Sequence, residues 1–273
     1  MLEFLENLSY FPTLYIPVFG IVGLMIGSFL NVVIYRLPKM MESDWRRDAL
    51  ACLSLPEEQS ERFNLAVPAS ACPGCARQIR AWENVPVLSY LALRGRCAGC
   101  SGKVSLRYPL VELLGAAAGA LAAFYFGLSL QGMAMAIVFW TLIAIALIDH
   151  DTMHIPDILT QPLLWAGLLF VAFTSPALLS EHVIGAAVGY LIFKVLPIGD
   201  GDAKLAATCG AWLGWAALPL FISCAAVLAT VVGAVLYLRR RESRPYPFGP
   251  ALVVGFVLSV FYGEAYARYL GII

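Results

Sequence analysis

Long apolar segments separated by short polar turns constrain this chain more than any other feature. They run over 12–35, 108–127, 131–148, 158–174, 178–196, 203–217, 219–238 and 248–267. A bilayer core needs about 20 apolar residues per crossing, within a range near 17–25. Composition agrees: 60% of the 273 residues are hydrophobic and 13% are charged, against about 45–50% and about 25% in soluble domains. The pattern predicts an all-α polytopic membrane protein with about eight transmembrane helices. The sixth segment is short and glycine-rich, so seven crossings is the fallback.

Charge placement tests the count. Of 18 Lys and Arg residues, 11 fall between Arg36 and Arg107. With the N-terminus outside, the inner loops are 36–107, 149–157, 197–202 and 239–247. The last holds Arg239, Arg240, Arg241 and Arg244, whereas the outer turns near 128–130, 175–182 and 214–218 contain no Lys or Arg. This is the positive-inside pattern, and removing one crossing breaks it. Glu3 and Glu6 stand where a cleavable signal would carry basic residues, so the first segment is expected to stay. Tyr10, Trp140, Trp165 and Trp215, near segment ends, read equally as interface anchors or ordinary packing. Gly20, Gly23 and Gly27, with Gly115, Ala116 and Gly119, form rows that let helices approach closely in lipid. They read as packing.

The expected division is an N-terminal segment with the first helix (1–36), a polar domain facing the cytoplasm (37–107) and a membrane-embedded domain (108–273). Residues 40–70 carry mixed charge and the lone Cys52; a surface helix or ordered loop is the plain reading. Beyond them, Cys72-Pro-Gly-Cys75 and Cys97-Ala-Gly-Cys100 have the spacing of a tetrathiolate zinc site. Four thiolates leave no open coordination position, so such a zinc would be structural. A redox role for one pair and a disulfide pairing are the other readings. Reducing conditions in the cytosol favour metal. Cys209 and Cys224 lie in apolar segments and read as small packing residues.

Charges at the ends of crossings are costly and suspected of function. Two acidic motifs face the same side. Asp149 closes the third segment in Ile148-Asp149-His-Asp-Thr-Met-His-Ile-Pro-Asp157, and Asp202 opens the sixth in Gly199-Asp-Gly201-Asp202-Ala-Lys204. Paired carboxyls suit peptide hydrolysis, because two at short range cannot both ionise. One can then take a proton from water while the other polarises the carbonyl. Gly199 and Gly201 permit a sharp turn near an extended substrate, and Lys204 could bias Asp202 towards its charged form. A plainer reading makes Asp202 and Asp157 helix caps and leaves Asp149, Asp151, His150 and His154 solvated. A proton-coupled transporter using the same aspartates is the rival from another class, although transporter sites usually lie near the midplane. A zinc-stabilised assembly factor without catalysis is a third.

Taken together, these motifs resemble the bacterial type IV prepilin peptidases. The likeness is carried by Gly27-Ser-Phe-Leu-Asn31 through Arg36-Leu-Pro38, both cysteine pairs, Asn84-Val-Pro86, Leu93-Arg-Gly-Arg-Cys97 and Arg107-Tyr-Pro-Leu-Val-Glu112. It continues through Ile148-Asp149, Ile155-Pro-Asp157, Gly201-Asp202-Ala-Lys204, Gly210-Ala-Trp-Leu-Gly214 and Phe248-Gly-Pro250. The resemblance implies an aspartic endopeptidase with Asp149 and Asp202 as the catalytic pair, supported by Gly199, Gly201, Lys204 and Asp157. Its substrates would be prepilins and pseudopilins of type IV pili and type II secretion, cleaved after the glycine that ends a basic leader. The resemblance also implies the bacterial inner membrane and a second activity, S-adenosylmethionine-dependent N-methylation of the new terminus. No nucleotide-binding fingerprint marks a donor pocket, and no nucleic-acid partner is expected.

Overall fold

The computed structural model describes residues 11–56, 62–196, 198–240 and 245–272. Tyr10, Pro197, Arg241 and Arg244 lie outside these residues, as do Glu3 and Glu6. Nine α-helices make up nearly all of the described chain: α1 (Pro12–Cys52), α2 (Leu88–Ala92), α3 (Arg107–Phe126), α4 (Leu130–Thr152), α5 (Asp157–Thr174), α6 (Leu179–Val195), α7 (Asp200–Leu213), α8 (Leu218–Arg240) and α9 (Gly249–Tyr269). Short 3-10 turns precede α6 and α8. Among the described residues there is no β-strand, only two isolated bridges. Helices suit lipid because each satisfies its own backbone groups.

Seven helical segments are long and apolar enough to cross a membrane. The sixth apolar segment of the sequence is not among them: it is α7, with 14 residues. At 1.5 Å per residue it is about 21 Å long, short of a hydrocarbon core of about 30 Å. The chain packs as two compact units that part within α4, between Ala144 and Ile145.

In the first unit α1 and α3 run antiparallel, in close backbone contact. A Cβ at Gly27 would meet Glu112 Cα at 2.6 Å, and Gly23 lies against Gly115 and Ala116. The glycine rows are therefore the helix contact that their spacing suggests. Asn31 Nδ2 donates to Tyr108 O at 3.1 Å, one turn further along the same seam. Trp140 Nε1 donates to Gly115 O at 2.8 Å, which makes Trp140 a packing residue. Helix α1 does not stop where its apolar run ends but continues unbroken from Arg36 to Cys52. The surface helix expected within 40–70 is thus the far end of the first crossing. Arg36, only 7% exposed, secures the chain that returns beside it by donating to Asn64 O at 2.9 Å and Pro68 O at 2.7 Å.

In the second unit α7 is the hub. Every residue from Leu205 to Ala211 is buried, so small residues are required around most of its circumference. It runs parallel to α5: Thr208 Oγ1 donates to Thr160 O at 3.2 Å, and Trp212 Nε1 to Leu163 O at 2.9 Å. It runs antiparallel to α6, where a Cβ at Gly185 would meet Gly210 O at 2.6 Å and one at Gly189 would meet Ala206 O at 2.7 Å. Phe221, Leu252 and Phe256 complete the core. Outward-facing Phe173, Val195 and Leu238 are 75–85% exposed, as side chains that meet lipid should be.

Candidate active site

Both acidic motifs belong to the second unit, and helix ends place them. Helix α4 finishes at Thr152, where Met153 takes a left-handed φ of 56° and donates to Asp149 O at 2.8 Å. Ile155 and Pro156 follow, both buried, and Pro156 is the N-cap of α5. Asp149 is thus in the last turn of its helix, 4% exposed. Asp202 is in the first turn of α7, whose N-cap is Gly199, with no side-chain cap. The capping reading of Asp202 fails: the helix starts at Asp200, two residues before it. Asp157 is likewise the first residue of α5, not its cap.

Gly201 lets the two motifs meet. A Cβ on it would lie 3.0 Å from Ile155 Cβ, so the first turn of α7 sits close against the loop after α4 and a side chain there would crowd it. The Asp149 and Asp202 carboxyls are close enough to interact electrostatically. Asp202 Oδ1 is buried and has no hydrogen-bond partner. Asp202 Oδ2 lies beside Gly199, where a Cβ would sit 3.0 Å away. An unsatisfied buried oxygen is rare in a native protein and marks a place where a missing partner belongs.

Asp149 Oδ2 accepts the N–H of Gly249 at 2.8 Å. Gly249 opens α9, so this is one of the free amides at a helix N-terminus, a natural seat for a carboxylate. A Cβ there would lie 2.7 Å from the same oxygen. The motif Phe248-Gly-Pro250 carries part of the family resemblance but no evident chemistry in the sequence. The structure makes Gly249 a contact of Asp149. A glycine directly before a proline at the start of a crossing is the only local signal. Phe248 packs against Phe193 at 5.9 Å between ring centres, and Phe193 against Phe221 at 6.4 Å, which backs this helix end with apolar rings.

The other acidic and basic residues are engaged elsewhere. Lys204 Nζ pairs with Asp157 Oδ2 at 2.5 Å and so ties α7 to α5; its expected effect on Asp202 gives way to this partner. Asp200 pairs with Lys194 at 2.6 Å and is exposed. His150 and Asp151 are exposed at the end of α4, and His154 is exposed in the loop that follows.

Cys72, Cys75, Cys97 and Cys100 of the first unit form one cluster, with all four Sγ atoms within 4.8 Å of one another and none in a disulfide. Cys72 Sγ and Cys100 Sγ are 3.8 Å apart. A tetrahedron with metal–sulfur bonds of about 2.3 Å has edges of about 3.8 Å, so the cluster is of a size to hold a metal ion. Two similar knuckles build it. Cys72 N–H donates to Arg77 O and Cys97 N–H to Gly102 O, each at 2.8–2.9 Å, and Ala76 and Ser101 follow the second cysteines with φ of 56° and 59°. Backbone N–H groups of Cys100 and Gly99 hold the Cys97 thiol down to about 6. Cys75, although supported by the Arg77 N–H, is pushed up to about 11 by partial burial and by the Cys100, Cys72 and Cys97 thiols. Arg77 braces the cluster through two 2.7 Å bonds to Glu83.

Comparison with known proteins gives two family matches in succession. Residues 21–126 match the bacterial peptidase A24 N-terminal domain, and residues 136–234 match the type IV leader peptidase family. A protein of Pseudomonas putida named prepilin leader peptidase/N-methyltransferase is 44% identical over 266 residues, covering 93% of this chain and 92% of its own. One from Pseudomonas aeruginosa with the same name is 42% identical over 278 residues, covering 97% and 96%. Another from Burkholderia pseudomallei strain 1026b is 45% identical over 267 residues, covering 92% and 86%. No solved structure matches the chain. Nothing in these matches supports a transporter. With relatives above 40% identity along nearly its whole length, this chain belongs to the type IV leader peptidase family.

Proposed function

We propose that Asp149 and Asp202 are the catalytic dyad of a prepilin peptidase. The observation that carries this reading is the buried, unpartnered Oδ1 of Asp202 within electrostatic reach of the buried Asp149. In the proposed reaction one member of the pair is ionised while the other holds a proton. The ionised member takes a proton from water, and the water oxygen attacks the scissile carbonyl carbon. The protonated member donates to the carbonyl oxygen as the tetrahedral diol forms. Collapse of the diol breaks the C–N bond, and a proton passes to the leaving amine. Gly249 fixes one oxygen of Asp149 so that the other is aimed. Gly199 and Gly201 keep the turn beside Asp202 narrow enough for an extended peptide, and the Lys204–Asp157 pair holds α7 against α5. These four residues support the pair without touching the reacting atoms.

The names of the relatives supply the substrate class and a second activity. Prepilins and pseudopilins would enter with their apolar helix in lipid and their basic leader in the cytoplasm, which brings the scissile bond to the level of the two motifs. The protein would sit in the bacterial inner membrane with its N-terminus outside. It would divide into a first segment (1–36), a cytoplasmic domain (37–107) and the peptidase (108–273). The new terminus would be N-methylated from S-adenosylmethionine, although no cluster among the described residues singles out a place for that donor. Cys72, Cys75, Cys97 and Cys100 fit zinc, which as a closed tetrathiolate ion would supply cross-linking of the two knuckles and no reaction step. Incubation of the purified protein with a prepilin in detergent tests the peptidase reading. Wild type should release the leader, and Asp149→Ala and Asp202→Ala should not.

A further inference from the structure

Between the two cysteine pairs lies a stripe of apolar side chains that the fold leaves uncovered. Trp82, Val85, Leu88 and Leu91 recur at every third residue and are 57%, 41%, 66% and 65% exposed. Trp82 is in the 3-10 turn Ala81–Asn84, Val85 directly follows that turn, and Leu88 and Leu91 are in helix α2. Between the two elements Val87 takes a φ of 59°, a conformation that a β-branched residue adopts only when its surroundings impose it.

A buried carboxylate holds this residue. Val87 N–H donates to Glu112 Oε2 at 2.7 Å, and Glu112 is only 9% exposed. Glu112 is the sixth residue of α3, whose first residue is Arg107. At 1.5 Å per residue Glu112 Cα is about 7–8 Å along α3 from Arg107, and its side chain holds Val87 towards the membrane-crossing residues. Asn31 meets Tyr108 across the helix seam, so Arg36, where the apolar run of α1 ends, lies about one turn farther out than Arg107. Amphipathic segments at a membrane surface bury their apolar face by about 5–10 Å, which matches this depth.

Charge on the flanks agrees. Arg80, Arg94, Arg96 and Lys103 are exposed on either side of the stripe, and no Asp or Glu occurs between Glu83 and Glu112. Cations at that height would meet acidic headgroups while the apolar tip meets acyl chains. Continuity with the lipid-facing start of α3, where Leu106 and Leu110 are 65% and 56% exposed, points to lipid as the occupant.

We propose that residues 82–91 form an interfacial anchor, with Trp82, Val85, Leu88 and Leu91 inserted into the acidic phospholipid leaflet on the side of the cysteine cluster. The anchor, tied to α3 through Val87 and Glu112, holds the cysteine knuckles against the membrane surface.

Photo-crosslinking in bilayers of phosphatidylethanolamine and phosphatidylglycerol tests this. Benzoylphenylalanine is placed at Leu88 of the full-length protein and, in a second variant, at Leu91. Phe173 on α5 serves as the lipid-facing reference and Gln78 in the first knuckle as the aqueous one. After irradiation, mass spectrometry should find phospholipid adducts at Leu88 and Leu91 at about the Phe173 yield and about tenfold above Gln78. Yields at the Gln78 level at both positions overturn the proposal. So do adducts made chiefly to a second copy of the chain or to an added prepilin, which would make the stripe a protein-docking face.

Discussion

The backbone N–H of Gly249 donates to Asp149 Oδ2 across 2.8 Å, joining residues 100 apart in sequence. The contact sets the first turn of α9 against the last turn of α4. It anchors one carboxyl oxygen at a helix N-terminus, where free amides and the helix dipole favour an acidic group. Without it Asp149 would be a buried side chain free to change rotamer.

Gly249→Ala tests this directly. The added methyl would lie 2.7 Å from the oxygen that the glycine holds, so either α9 or the carboxyl must move. A displacement of about 1 Å at a catalytic group can cost about 100-fold in rate. Prepilin processing should fall by about that factor while the variant still inserts and purifies like wild type. Processing within about twofold of wild type would remove Gly249 from the site.

Lys204 and Asp157 form a pair of a different kind. Their side chains are 33% and 54% exposed, and pairs so accessible contribute about 0–1 kcal/mol. A double-mutant cycle of Lys204→Met and Asp157→Asn, read by thermal unfolding in detergent, should give a coupling within that range. Each single variant should retain far more activity than a change at Asp149 or Asp202. A Lys204→Met enzyme as inactive as Asp202→Ala would show that the lysine acts on the dyad and not on α5.

The cysteine cluster predicts a pH dependence. A thiol must lose its proton to bind a metal, so acid competes with the ion. Cys97, held down to about 6 by the Cys100 and Gly99 amides, ionises first and needs no displacement above that pH. Cys75, pushed up to about 11, must surrender a proton to the ion at neutral pH. Zinc retention against a fixed concentration of chelator should therefore rise with pH and drop steeply as pH falls through about 6. Cys72→Ser should lower retention throughout. Retention independent of pH between 5 and 8, or no metal in the wild type, would contradict the assignment.

The sequence revealed the membrane class, the cysteine knuckles and both acidic motifs because each depends on local residue type and spacing. Apolar length reports a crossing wherever it occurs, and Cys-x-x-Cys reports a knuckle. Contacts set by packing were harder to read. Nothing in Phe248-Gly-Pro250 says that its glycine meets Asp149, because that contact depends on how α9 docks. Lys204 lies two residues from Asp202 in sequence, yet the helical turn of α7 directs it to Asp157. The sixth apolar segment read as a weak crossing because α7 is buried by protein on most sides, so it needs small residues more than long apolar ones. The reach of α1 to Cys52 was masked by charged residues, which suit a helix once it has left the membrane.

The central claim is that Asp149 and Asp202 act as one catalytic unit. Prepilin cleavage by Asp149→Asn, Asp202→Asn and the double variant measures it, with metal content and unfolding temperature confirming that each remains intact. Residues acting as a unit are non-additive. The account predicts that either single change abolishes leader release and that the double change costs no more than either alone. Substantial cleavage by either single variant, or losses that multiply in the double variant, would contradict it.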